Sequence, residues 1–194
     1  MLTPARAKRL LDHGQTPFLS AEDVAFITGI KRVTLRQWIN RGYLKLRFSP
    51  KPEKGMGMLF SFDALVEIMA FASLSRLSFP PNRFSGDLAE IMTSGAFNYL
   101  QDIAGMRGDY SRLSEIERNY QRYVIVYFDI FKKNLNWNIT STPTPEIESS
   151  DESPNFGTFD GAWITLDCHL LMERTIEGFE RLKKQQKNTV KELL

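Results

Sequence analysis

The sequence predicts an α+β protein: an N-terminal winged helix-turn-helix, then a C-terminal module of a small β-sheet and one helix. Three observations carry this. Residues 20–44 read as two short amphipathic helices about a glycine corner, and a Pro-, Gly- and Lys-rich loop between two short alternating runs follows directly. Residues 120–131 are dense in β-branched and aromatic side chains, the composition of a strand.

In chain order, residues 2–14 suit a short helix with Leu2, Ala5, Leu10 and Leu11 apolar and Arg6, Lys8 and Arg9 basic, ended by Gly14 and Pro17. Residues 1–17 then have two readings: a basic arm reaching a DNA phosphate, or a helix packed on the core or frayed at a terminus. Ser20 can accept a hydrogen bond from the backbone N–H of Asp23, and Glu22 and Asp23 put negative charge where a helix dipole favours it. Val24, Ala25 and Ile27 give this helix an apolar side. Gly29 supplies the permissive backbone of a tight corner. From Lys31 a second helix runs with Val33, Leu35, Trp38 and Ile39 inward and Lys31, Arg32, Thr34, Arg36, Gln37, Asn40 and Arg41 outward, and Gly42 ends it as a left-handed cap.

Ala25 lets the helices approach, Gly29 turns the chain and Leu35 locks the second helix on the first, as a helix-turn-helix requires. No acid occurs between Lys31 and Lys45, so the outward face has a chemistry suited to phosphates and base edges. A solvated basic face is the competing reading, and the turn spacing favours the first. Residues 45–48 and 58–60 form the two arms of an expected β-hairpin, a wing whose cations are Lys45, Arg47, Lys51 and Lys54. Ser61 caps a third helix over 62–74, with Phe62, Leu65, Val66, Met69, Phe71 and Ala72 suited to burial, and a break at 78–82 precedes a fourth marked by Phe84, Leu88, Ile91 and Met92.

The runs Ile27-Thr28-Gly29-Ile30, Thr34-Leu35-Arg36-Gln37-Trp38 and Arg41-Gly42-Tyr43-Leu44, with the aromatic-serine pair Phe60-Ser61, resemble the DNA-binding domain of the MerR-type transcription regulators over about residues 18–93. The resemblance implies a recognition helix in a major groove, a wing on flanking backbone, a third and fourth helix supporting that wing, and a C-terminal module that dimerises. It also implies RNA polymerase as a partner. One departure stands out: Met58 and Leu59 precede Phe60 where that family usually carries arginine, which leaves wing contacts to Lys45, Arg47, Lys51 or Lys54. By geometry Lys31, Arg32, Thr34 and Gln37 are expected near bases, and Arg36, Asn40, Arg41, Lys45 and Arg47 near phosphates.

Beyond residue 93 the resemblance ends. Residues 96–106 read as a helix, 110–119 as a charged connector, 134–140 as an edge strand, 162–166 as a further strand and 170–184 as a helix with Leu170, Leu171, Ile176, Phe179 and Leu182 inward. Residues 141–157, rich in Pro, Ser and acids, read as a mobile loop, whose sharper reading is an acidic flap competing with DNA for the basic face. Two apolar strands and one helix cannot enclose themselves, so they pack on the helices of residues 83–119 or pair across a two-fold axis. Tyr123, Tyr127, Phe128 and Trp163 line a small-molecule pocket, as in drug-responsive relatives, or are plain core; both readings stay open.

Composition narrows the function classes. The chain has 194 residues, enough for one large or two small domains, and is 42% hydrophobic. No stretch reaches the length of a membrane span and the N-terminus lacks the apolar centre of a secretion signal, so a cytoplasmic location is expected. Residues 1–60 hold eleven Lys or Arg against four acids, giving +7, while residues 61–194 carry −5. This asymmetry suits a polyanion-binding first third. Cys168 is the single cysteine and His13 and His169 have no partner at ligand spacing, so no metal or cofactor is expected; Asp167, Cys168 and His169 read as a strand end and helix start. With no Gly-rich phosphate loop, HExxH or nucleophile beside a base, and only lone acids such as Asp160, the expectation is not an enzyme. The reading is a homodimeric, sequence-specific regulator of double-stranded DNA. Its alternatives are an excisionase-like or phage-encoded architectural DNA protein and a protein-interaction module on a helix-turn-helix scaffold.

Overall fold

Helix starts coincide with side-chain caps. The protein, seen as a computed structural model that describes residues 3–46, 57–105, 123–129, 134–140 and 163–192, begins with α1 (Pro4–His13), whose N-cap Thr3 accepts from the N–H of Arg6 and whose first residue is proline. In α2 (Ala21–Thr28) Ser20 and Asp23 satisfy each other's backbone donors in a capping box, and Gly29 closes the helix at φ 70°. Helix α3 (Arg32–Asn40) ends in the expected left-handed glycine: Gly42 has φ 66°, its N–H donates to Ile39 O, and the Tyr43 N–H reaches back to Trp38 O. Ser61 caps α4 (Phe62–Arg76) by accepting from the Ala64 N–H. Helix α5 (Arg83–Gly105) follows, then strands β1 (Tyr123–Asp129), β2 (Asn134–Thr140) and β3 (Trp163–Asp167), and finally α6 (Cys168–Glu192).

The architecture is α+β. Strand β1 lies centrally in a three-stranded antiparallel sheet ordered β2-β1-β3, with Tyr123 opposite Thr140 on one side and Asp167 on the other. Val124, Ile125 and Val126 are all buried, so both faces of β1 are covered there. The sheet and last helix pack on helices of the same chain: α6 lies against α5, α2 and α4, and β1 touches α5.

Several expectations change. The fourth helix and the helix of residues 96–106 are one uninterrupted α5, because nothing between Leu88 and Ile103 breaks the pattern: Leu88, Met92, Ala96, Tyr99, Leu100 and Ile103 are buried along one side. The boundary expected at residue 93 therefore falls inside a helix, and a single hydrophobic cluster runs from Ala7 to Leu182. Helix α1 packs on this core through a fully buried Ala7, with Arg6 paired to Glu180 of α6, while Lys8 and Arg9 stay exposed. Leu170 is 40% exposed rather than inward, being one position off the buried line of Leu171, Met172, Thr175, Ile176, Phe179 and Leu182. The wing hairpin falls largely on residues 47–56, outside the described residues. At its described ends Leu46 has φ 41° and Phe60 bridges Leu19, with the N–H groups of Phe60 and Leu19 each donating to the other's carbonyl. The connector of residues 110–119 and the acidic segment 141–157 also lie outside the described residues.

Close approaches hold the halves together. A Cβ on Gly86 would lie 2.0 Å from Tyr43 O, so α5 touches the backbone where α3 exits. A Cβ on Gly178 would meet Ile27 Cγ2 at 2.6 Å, which seats α6 directly against α2. The Phe179 ring contacts Phe18 at 5.7 Å and Phe62 at 6.1 Å.

Candidate nucleic-acid interface

Two contacts orient α3. Leu35 and Trp38 are buried on its inner side, and the Trp38 ring lies 4.6 Å from Phe71 of α4, which also carries the Tyr43 ring stacked at 6.4 Å. The other side is open: Lys31, Arg32, Arg36, Gln37, Asn40 and Arg41 are exposed and Thr34 is half-buried. Ile39 is half-buried, and Val33, expected inward, is 67% exposed. The hundred-degree step explains the miss, since Val33 stands about 160° round the axis from Leu35 and on the side of Gln37. In contrast with α2 and α4, α3 has no side-chain cap and no acid in its first turn.

The cations differ in availability. Lys31, Arg36 and Arg41 have no ion-pair partner among the described residues. Arg32 pairs with Glu22 of α2, both side chains more than half exposed, an interaction of about 0.2–1 kcal/mol that a phosphate can outbid. Lys45 is held by two acids of α5, Glu90 and, at 3.2 Å, Asp87, and its hydrogen bonds to them raise its pKa above the usual lysine value. These exposed ion pairs link the α3 exit to α5 while the Lys45 side chain remains 46% open to solvent. Arg47, Lys51 and Lys54 lie outside the described residues.

Sequence reasoning missed Glu67. This glutamate on the buried side of α4 accepts from the Lys45 N–H at 2.7 Å and the Leu46 N–H at 3.1 Å, so it holds the irregular backbone at the exit of α3. The signal was an acid amid the apolar run of residues 64–72, which a buried partner would explain. Its carboxyl is pushed up by burial, which outweighs the two backbone donors; Glu90 adds repulsion and Lys45 relieves it slightly. Burial also raises Asp63. Both acids, with Glu90, Thr93, Ser94 and Phe97, line an open cleft between α4 and α5.

These shifts set a sign. The folded protein holds protons on Glu67 and Asp63 more tightly than the unfolded chain does, so folding takes up protons between the ordinary carboxylate range near pH 4 and the raised values. Stability is therefore expected to rise as pH falls from neutral through the raised values, and to level off near the ordinary ones. Denaturant titrations of wild type and Glu67→Gln at pH 7 and pH 5 check this. Equal pH dependence in the two proteins would remove Glu67 as its source.

The aromatic pocket is only partly placed. The register sets Trp163 opposite Tyr127 and Tyr123 opposite Asp167, with Phe128 at the next position, but the side chains of Tyr127, Phe128 and Trp163 lie outside the described residues. Asp167 ends β3 and caps α6 by accepting from the Leu170 N–H; Cys168 and His169 are buried in the first turn. His169 stacks on Tyr99 at 4.0 Å, and burial, with Asp167 second, pushes the Cys168 thiol up to about 12, leaving it protonated at neutral pH. Among the described residues no three His, Cys, Asp or Glu side chains gather at metal-binding distance, and no helix is long and apolar enough to cross a membrane. Neither a scan against protein-family models nor a search of curated proteins gives a match for this chain.

Proposed function

We propose that the chain is a cytoplasmic, sequence-specific regulator of transcription that binds double-stranded DNA through a MerR-like winged helix-turn-helix, as a homodimer, with RNA polymerase as its eventual partner. One observation carries the reading: α3 stands on the rigid floor of Leu35, Trp38 and Phe71 and turns an acid-free face outward, with Lys31, Arg36 and Arg41 uncommitted among the described residues. Gln37 and Asn40 on that face have the amides that read base edges, and the arginines the fork that suits phosphate. Arg32 joins them once it leaves Glu22. Lys45, 46% exposed beside Glu90 and Asp87, joins the phosphate contacts on the same terms.

The test is salt-dependent duplex binding by the full chain. Arg36→Ala and Arg41→Ala are each expected to weaken binding to every sequence and to reduce the log–log salt slope by about 0.9, the share of one phosphate contact. Lys45→Ala is expected to reduce the slope by less, since Glu90 and Asp87 already neutralise part of its charge. If both arginine variants keep the wild-type slope, α3 does not meet the DNA backbone.

A further inference from the structure

Val33 is the most exposed large apolar side chain among those of the described residues that stand out of the core, at 67%, and it occupies the second position of α3. The fold gives no reason for it. A β-branched residue is a poor helix former, and this one contributes nothing to the floor made by Leu35 and Trp38. Its surroundings on the helix are specific: Gln37 lies one turn further along the same side, Arg36 flanks it, and Lys31 precedes the helix, all exposed and free of neighbouring acids on α3. A surface of this kind, cationic at its margins and apolar at one point, complements a polyanion that presents a single apolar group in a polar groove. In the major groove that group is the 5-methyl of thymine, and the amide partner one step away is adenine, which glutamine addresses through N6 and N7.

We propose that Val33 reads sequence: its isopropyl group seats on a thymine methyl in the major groove while Gln37 addresses an adenine beside it. This rests on the DNA-binding reading above and adds to it a base preference and the residue that sets it.

Preferred duplexes selected from a random library by the full chain provide the probe, with each thymine then replaced in turn by deoxyuridine, which lacks only the methyl. Wild type is expected to lose about four-fold in affinity at one thymine, the worth of one buried methyl group, and Val33→Ala to show no loss at that position. Thermal unfolding of Val33→Ala should match wild type or rise slightly, since the side chain is outside the core and alanine is the better helix former. Indifference of wild type to every thymine replacement, or an unchanged penalty in Val33→Ala, overturns the assignment while leaving salt-dependent DNA binding intact. Absence of any duplex binding overturns the broader reading with it. If Val33→Ala instead weakens self-association in sedimentation, the valine belongs to a protein interface and the base-reading role is wrong.

Discussion

Phe71→Ala is expected to lower the unfolding free energy by about 3–5 kcal/mol, the range for truncating a buried aromatic side chain. Phe71 is fully buried in α4 and carries two loads at once, the Trp38 ring from the inner side of α3 and the Tyr43 ring from the residue after its cap. No other described aromatic touches both. A domain typically holds about 5–15 kcal/mol in reserve, so the variant gives up a large part of it. Denaturant titration at an unchanged m-value checks the size of the loss. A change below about 1 kcal/mol would mean that the space beneath α3 closes without cost, and the rigid presentation of Arg36 and Arg41 would need another source.

Gly86→Ala is expected to cost about 1–3 kcal/mol through overpacking, less up to about 1 kcal/mol regained from helix propensity. The new Cβ would lie 2.0 Å from the Tyr43 carbonyl oxygen and 3.2 Å from its carbon, and because these are backbone atoms no rotamer change relieves the clash. Either α5 or the α3 exit moves. Gly105→Ala, with nothing within 4 Å of the added carbon, is the control and should be neutral or mildly stabilising. Thermal melts read the difference at about 2–4 °C per kcal/mol for a chain of this size. A Gly86→Ala protein as stable as the control would show that the two segments are free to part.

The local features were legible because they rest on local chemistry. The Ser20 cap on the Asp23 N–H, the corner at Gly29, the stop at Gly42 and the cap at Ser61 are each decided by nearby residues, and each was read from its neighbours. The long-range features were not. Nothing near Glu67 in sequence announces that its partners are the N–H groups of Lys45 and Leu46, over twenty residues away. The acid pair beside Lys45 also comes from a distant helix, so the ion pairs of that cation could not be read from its neighbours in sequence. Val33 failed for a different reason: hydrophobicity was taken as inwardness, although a helix of nine residues presents only one narrow buried side. The split at residue 93 followed the edge of a sequence resemblance, and a boundary of that kind has no bearing on where α5 stops making buried contacts.

Helix α6 follows every other described element in the sequence, yet Gly178 rests on Ile27 and Phe179 on Phe18 and Phe62. During synthesis the apolar seat these residues form stays bare until α6 has emerged, so α2 gains this cover from a segment far along the chain. A product stopped before residue 168 would display that seat to chaperones and proteases. Exposure of that seat is in this way tied to chain order, since α2 is covered there only once α6 has been made.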